Sequence, residues 1–118
     1  MTRRLLAVLA ATGLLTGSPA LAADGAKVFQ LQCKTCHGAK STPMGPSLAG
    51  VSGRKIAGLA DYKYSAGLTA KAPAVWTDAN LDAYLAAPTK FAPGTRMPMG
   101  LAAPADRAAV VAYLKGLK

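Results

Sequence analysis

The chain has 118 residues, room for one domain of ordinary size and not for two. Fourteen lysines and arginines stand against five acidic residues, a net charge of +9, but the lysines are scattered singly and form no run suited to nucleic acid. No stretch reaches the roughly 20 apolar residues that a spanning helix needs, which excludes a multi-pass protein.

Arg3 and Arg4 open the chain, an apolar run follows from Leu5 to Leu15, and Ala20-Leu21-Ala22 is an A-x-A cleavage signal. This is the layout of a secretory leader, so residues 1–22 are expected to be removed and residues 23–118 to form the exported domain. Without Arg3 and Arg4, twelve basic residues face five acidic ones, a net charge of +7. Only seven aromatic residues are available for the core. A domain of this size buries only about 60–70% of its unfolded surface, so something besides side chains is expected to supply part of the core.

Three stretches predict helices. The first runs from about Gly25 to Cys36, with Asp24 as N-cap and Val28, Phe29 and Cys33 on one face. The second begins after Thr77, carries Leu81, Tyr84 and Leu85 at helical spacing, and is expected to stop at Pro88. The third begins at Pro104, with Val110, Tyr113, Leu114 and Leu117 as its stripe and Lys115 and Lys118 in the last turn. A shorter helix is weakly signalled between Ser65 and Ala72. The stretches from Gly38 to about Tyr64 and from Pro88 to Ala103 show no periodicity. Loops of that length in a small domain are usually functional or wrap something. The expected architecture is all-α, three main helices plus long loops folded around a ligand.

The ligand is named by Cys33-Lys34-Thr35-Cys36-His37, the C-x-x-C-H sequence of covalent c-type haem attachment. Two thiols at this spacing add to the two vinyl groups on one porphyrin edge, and the next residue's imidazole reaches the iron. A zinc site needs more ligands than two cysteines and the single histidine provide. A thioredoxin-like pair needs a preceding strand, and a disulfide closing so short a loop would stabilise little. With one histidine, bis-histidine ligation is excluded. Met44, Met97 and Met99 remain as candidates for the sixth position, and an iron left five-coordinate is the alternative.

In sequence order the chain also carries Gly45-Pro46-Ser47-Leu48 with Gly50, Gly53-Arg54-Lys55, Tyr64-Ser65, Trp76-Thr77, Leu81-Asp82-Ala83-Tyr84-Leu85, Pro88-Thr89-Lys90-Phe91, Pro93-Gly94-Thr95-Arg96-Met97 and Ala112-Tyr113-Leu114. Together with the attachment motif, this series resembles the class I c-type cytochromes, mitochondrial cytochrome c and its bacterial periplasmic relatives. The resemblance implies the cytochrome c fold around one covalent haem c. It makes Cys33 and Cys36 the thioether cysteines, His37 the proximal iron ligand and Met97 the sixth. It further implies that the Pro46 carbonyl orients His37, that Arg54, Tyr64 and Trp76 hydrogen-bond the propionates, and that Tyr84 and Thr95 lie on the methionine side. Gly25, Phe29, Val110 and Tyr113 would form the crossing of the terminal helices. The chain departs from the family pattern at Met99, where the family has an aromatic residue, and near Gly67, where it has a polar one.

The function so implied is that of a monomeric periplasmic electron carrier in a respiratory or photosynthetic chain, and not of an enzyme. Its partners would be a membrane quinol–cytochrome c oxidoreductase, a terminal oxidase, a reaction centre or a periplasmic dehydrogenase, met through a basic face near Lys27, Lys34, Lys90 and Arg96. A dedicated haem subunit of one dehydrogenase is the alternative. A peroxidase or gas-binding protein would need an open iron site, which the Met97 segment argues against.

Overall fold

The structure, a computed structural model, describes Gly13 and residues 23–118; the expected leader lies outside the described residues apart from Gly13. The described residues form five helices: α1 (Gly25–Gln32), α2 (Ala66–Thr69), α3 (Asp78–Ala86), α4 (Pro88–Phe91) and α5 (Pro104–Gly116). Two isolated β-bridges, Thr42 to Gly45 and Lys55 to Val75, are the only sheet-like pairings among the described residues.

Local chemistry sets the helix ends. The Asp24 side chain accepts from the Lys27 N–H, Ser65 from Leu68 and Thr77 from Asn80, each satisfying one of the donors a helix start leaves open. Helix α1 is shorter than the pattern predicts. It ends at Gln32, and Cys33 to His37 continue as a turn in which the Cys36 and His37 N–H groups both reach the Cys33 carbonyl. Pro88 does halt α3, but it also opens α4, where its missing N–H costs nothing at the first position. Ala87, the residue before that proline, is driven out of the helical region to φ −153°, ψ 81°.

Helices α1 and α5 pack against each other, as do α3 and α5. A Cβ at Gly25 would overlap the Ala109 carbonyl oxygen and stand 3.1 Å from the Tyr113 Cβ, so the missing side chain is what lets the two backbones meet. Phe29 and Tyr113 seal this crossing with ring centroids 5.0 Å apart. Helices α3 and α5 run antiparallel, joined by Arg107 to Asp82 at 2.8 Å and Lys115 to Asp78 at 2.7 Å. The Lys115 pair is exposed and contributes at most about 1 kcal/mol, while the Arg107 side chain is half-buried. The two pairs do occupy two of the chain's five carboxylates.

The core is drawn from helices and loops alike. Phe29, Leu81, Tyr84, Leu85, Val110, Val111 and Leu114 come from the three long helices, while Val51, Ile56, Trp76, Ala92 and Leu101 come from connecting segments. Ile56 is 1% exposed, as deeply placed as Val110. The loops are therefore walls of the core, and they enclose a cavity.

Candidate functional site

One cavity takes in all ten residues expected to contact the haem: Cys33, Cys36, His37, Pro46, Arg54, Tyr64, Trp76, Tyr84, Thr95 and Met97. Its remaining lining is mainly apolar, including Phe29, Leu48, Val51, Leu68, Leu81, Leu85, Leu101, Val110 and Leu114. Among the described residues no carboxylate lines it.

The wall next to α1 carries the attachment motif. Cys33 and Cys36 are both half-buried and form no disulfide with each other. Burial pushes the Cys33 thiol above its ordinary pKa. The His37 Nδ1 lies 2.8 Å from the Pro46 carbonyl oxygen. A carbonyl only accepts, so Nδ1 carries the proton and Nε2 keeps the lone pair that a metal needs. A Cβ on Gly45 would stand 3.2 Å from the imidazole Nδ1 and 2.7 Å from the Cys36 carbonyl oxygen. The Gly45-Pro46 pair thus grips the ring by close approach from one residue and a hydrogen bond from the next.

The Met97 wall is a chain of turns. Thr95 N–H donates to the Ala92 carbonyl at 3.0 Å across Pro93-Gly94, with Gly94 at φ +81°. That turn needs a positive φ at its third residue, which glycine adopts without strain. The hydroxyls of Tyr84 and Thr95 are 2.6 Å apart. Met97 is half-buried against the core, whereas Met99 is 56% and Met44 67% exposed, although both reach the cavity rim. Burial raises the pKa of Tyr84 above the ordinary phenol value, its bond to Thr95 opposes this, and Tyr62 adds a smaller upward push.

The polar corner is built on Arg54. Its Nη1 donates to the Ala49 carbonyl at 3.2 Å and its Nη2 to Ser47 at 3.1 Å, leaving Nε buried without a partner. A buried guanidinium N–H without an acceptor costs about 1–3 kcal/mol, more where charge is involved. Its position on the cavity wall calls for an anionic oxygen from whatever fills the space. The Tyr64 hydroxyl accepts from the Leu59 N–H at 3.3 Å and still has its own proton to donate. Trp76 is buried beside Tyr84 and Phe91, with centroids at 5.3 and 5.8 Å. An apolar slot with two thiols, one oriented imidazole, one thioether and an orphaned guanidinium donor fits one porphyrin with its iron and propionates.

Residues 22–118 match the family model for cytochrome c. The chain belongs to the cytochrome c family. It is 46% identical to cytochrome c2 iso-2 of Magnetospirillum fulvum over 98 residues, 80% of this chain and all of that one. Cytochrome c2 iso-1 of Magnetospirillum molischianum is likewise 46% identical, over 74% of this chain and 91% of its own. Among solved structures, cytochrome cH from Methylobacterium extorquens superposes with a TM-score of 0.72 at 40% identity, covering 80% of this chain and 97% of that one. Ferricytochrome c2 from Rhodopseudomonas palustris gives 0.72 at 39%, covering 80% and 96%. As a cytochrome c, the protein holds haem c covalently through its cysteines and carries electrons without being an enzyme.

Two features of the site escape the sequence. Gly45 reads as part of a turn, and its packing on the imidazole depends on how residues 41–47 fold back. Arg96 reads as a free surface charge, but its Nη2 donates to the Lys63 carbonyl.

Proposed function

We propose that this cytochrome c is an exported periplasmic carrier of single electrons, with Cys33 and Cys36 as thioether residues, His37 and Met97 as axial ligands, and a basic face for docking. The carrying observation is that one apolar cavity places the oriented His37 and the half-buried Met97 on its walls together with both thiols. When bound, the haem supplies an iron that gains or loses one electron. The chain's part is to hold that group in a fixed, dry environment. The Pro46 carbonyl keeps His37 in one tautomer and makes it a better donor to a metal. A methionine ligand raises the potential. The unpartnered Arg54 Nε and the Tyr64 hydroxyl, which still has a proton to donate, support a role for both in holding the propionates. Ligands that stay in place in both oxidation states keep reorganisation small.

Residues 1–22 fit a leader directing export, and among the described residues no helix is long and apolar enough to cross a membrane. Lys34 and Lys90 are exposed on the segments flanking the cavity, which suits a partner with an acidic docking surface, whether a membrane cytochrome complex or a periplasmic dehydrogenase.

The deciding measurement is the optical spectrum of the oxidised holoprotein, where the weak far-red sulfur-to-iron band reports a methionine ligand. Its absence would discard the His37/Met97 reading. For the carrier role, the rate of electron transfer to an acidic partner should fall with salt, since exposed charges are screened beyond about 10 Å at 0.1 M. Reversing Lys90 should slow it more than reversing Lys118.

A further inference from the structure

The segment carrying Met97 is held against residues 62–67 at two places. Arg96 donates from Nη2 to the Lys63 carbonyl oxygen, and its guanidinium lies over the Tyr62 ring, 5.5 Å from the centroid. Tyr62 is itself braced edge-on by Tyr64, with centroids 4.9 Å apart and planes at 74°. At the second place, a Cβ on Gly67 would overlap the Pro93 carbonyl oxygen and stand 3.0 Å from the Ala92 carbonyl carbon. The start of α2 therefore lies directly on the turn that leads into Met97.

Besides the Tyr84–Thr95 hydroxyl bond at 2.6 Å and the packing of Met97 against the core, few other contacts hold this segment. Within it, Thr95 N–H bonds to the Ala92 carbonyl at 3.0 Å, and Met97 N–H meets the Thr95 hydroxyl at a long 3.4 Å. Pro98, Met99 and Gly100 are exposed. Exposed segments with sparse bonding open at the low end of a protein's stability range. The contacts to residues 62–67 therefore weigh heavily in keeping this one shut. A guanidinium suits the task because it is flat, stacks on a ring and donates in its own plane at the same time, whereas a lysine ammonium provides only the donor.

We propose that Arg96, Tyr62 and Gly67 form a clasp that keeps the Met97 segment closed over the haem, making Arg96 a positioning residue for the methionine. The proposal rests on Met97 as the sixth ligand, and it concerns how often that ligand is released. A partner-facing charge would leave release unchanged when removed; a clasp residue would not.

The test uses ferric holoprotein and imidazole at saturating concentration, where binding is limited by release of the methionine and is followed by loss of the far-red band. Arg96→Gln should raise the limiting rate about tenfold, given one cation–π contact and one charge-assisted hydrogen bond at an exposed site. Tyr62→Leu should raise it less, and Arg96→Lys should fall between wild type and Arg96→Gln. In denaturant titrations of Arg96→Gln, the midpoint for band loss should drop further than the midpoint for helix loss. Wild-type rates in both Arg96→Gln and Tyr62→Leu would overturn the clasp. Equal drops of the two midpoints would also overturn it, assigning Arg96 to general stability. Should Arg96→Gln not fold, Tyr62→Leu carries the test, because it leaves every charge in place. A wild-type protein without the far-red band refutes the ligand reading instead, and this is visible before any variant is made.

Discussion

The two walls of the cavity are built in different ways. On the His37 side, a covalent anchor and an imidazole grip follow within 14 residues, from Cys33 to Pro46, and α1, which leads into them, is packed on α5. On the Met97 side there is a turn, a threonine–tyrosine bond and a contact reaching 33 residues back to Lys63. The first wall is made from neighbours in sequence and is stiff. The second is assembled from distant segments, and on the clasp proposal its closure is an equilibrium. With His37 and Met97 as the proposed axial ligands, the weaker wall would govern how long the complete site persists.

The largest expected effect falls on the stiff wall. His37→Ala, or Cys36→Ser, removes an anchor for which no nearby group substitutes, and normally matured haem protein should be lost. The alkaline pyridine spectrum of the denatured protein distinguishes two thioethers from one or none. Next comes Met97→Ala, which should abolish the far-red band, lower the potential and let carbon monoxide bind the reduced iron. Met99→Ala should keep the band, because its side chain is 56% exposed and its loss costs well under the ~2–5 kcal/mol of a core truncation. Reversed phenotypes would move the ligand by two residues.

A smaller effect is expected from Gly25→Ala. Its new Cβ falls on the Ala109 carbonyl, and crowding of this kind typically costs about 1–3 kcal/mol. The denaturation midpoint should drop while the far-red band of the folded protein stays intact, since the damage is to the stiff wall. The smallest concerns Tyr84→Phe, which removes the bond to Thr95 at about 1 kcal/mol. The same variant tests a pH dependence. Tyr84 has its folded pKa raised, chiefly by burial. The folded state therefore holds the proton more tightly than the unfolded one. The associated stability is intact below the unfolded value of about 10 and is lost as pH climbs from there through the higher folded value. Tyr84→Phe should flatten that part of the stability profile.

This contrast also separates what the sequence shows from what it hides. Asp24, Thr77 and Pro104 announce their helices because capping is decided within four residues. The C-x-x-C-H spacing carries its chemistry in five. Helix α4 is hidden because one proline does two jobs, ending α3 and starting the next turn. The end of α1 at Gln32 is hidden because Cys33 to His37 continue its apolar face while leaving its hydrogen-bond pattern. Arg96 is hidden for a different reason. A surface-looking cation acquires its partners only when residues 62 and 63 are brought beside it, and no local pattern records that. Gly67 shows as a departure from the family pattern, but its reason lies in the Pro93 backbone above it.

The meeting of Gly25 with Ala109 also bears on the order of assembly. These residues are 84 positions apart, so α1 and both attachment thiols emerge during synthesis long before their helical partner exists. Before α5 packs on α1, the cysteine turn is expected to be more open to haem attachment than it is in the folded chain. Once the ends have met, Cys33 and Cys36 are half-buried, with Cys33 packed against the core, so access to them is expected to narrow. Loading is thus expected to favour the open chain, and a variant whose terminal helices closed faster should carry less haem, measured as haem per protein.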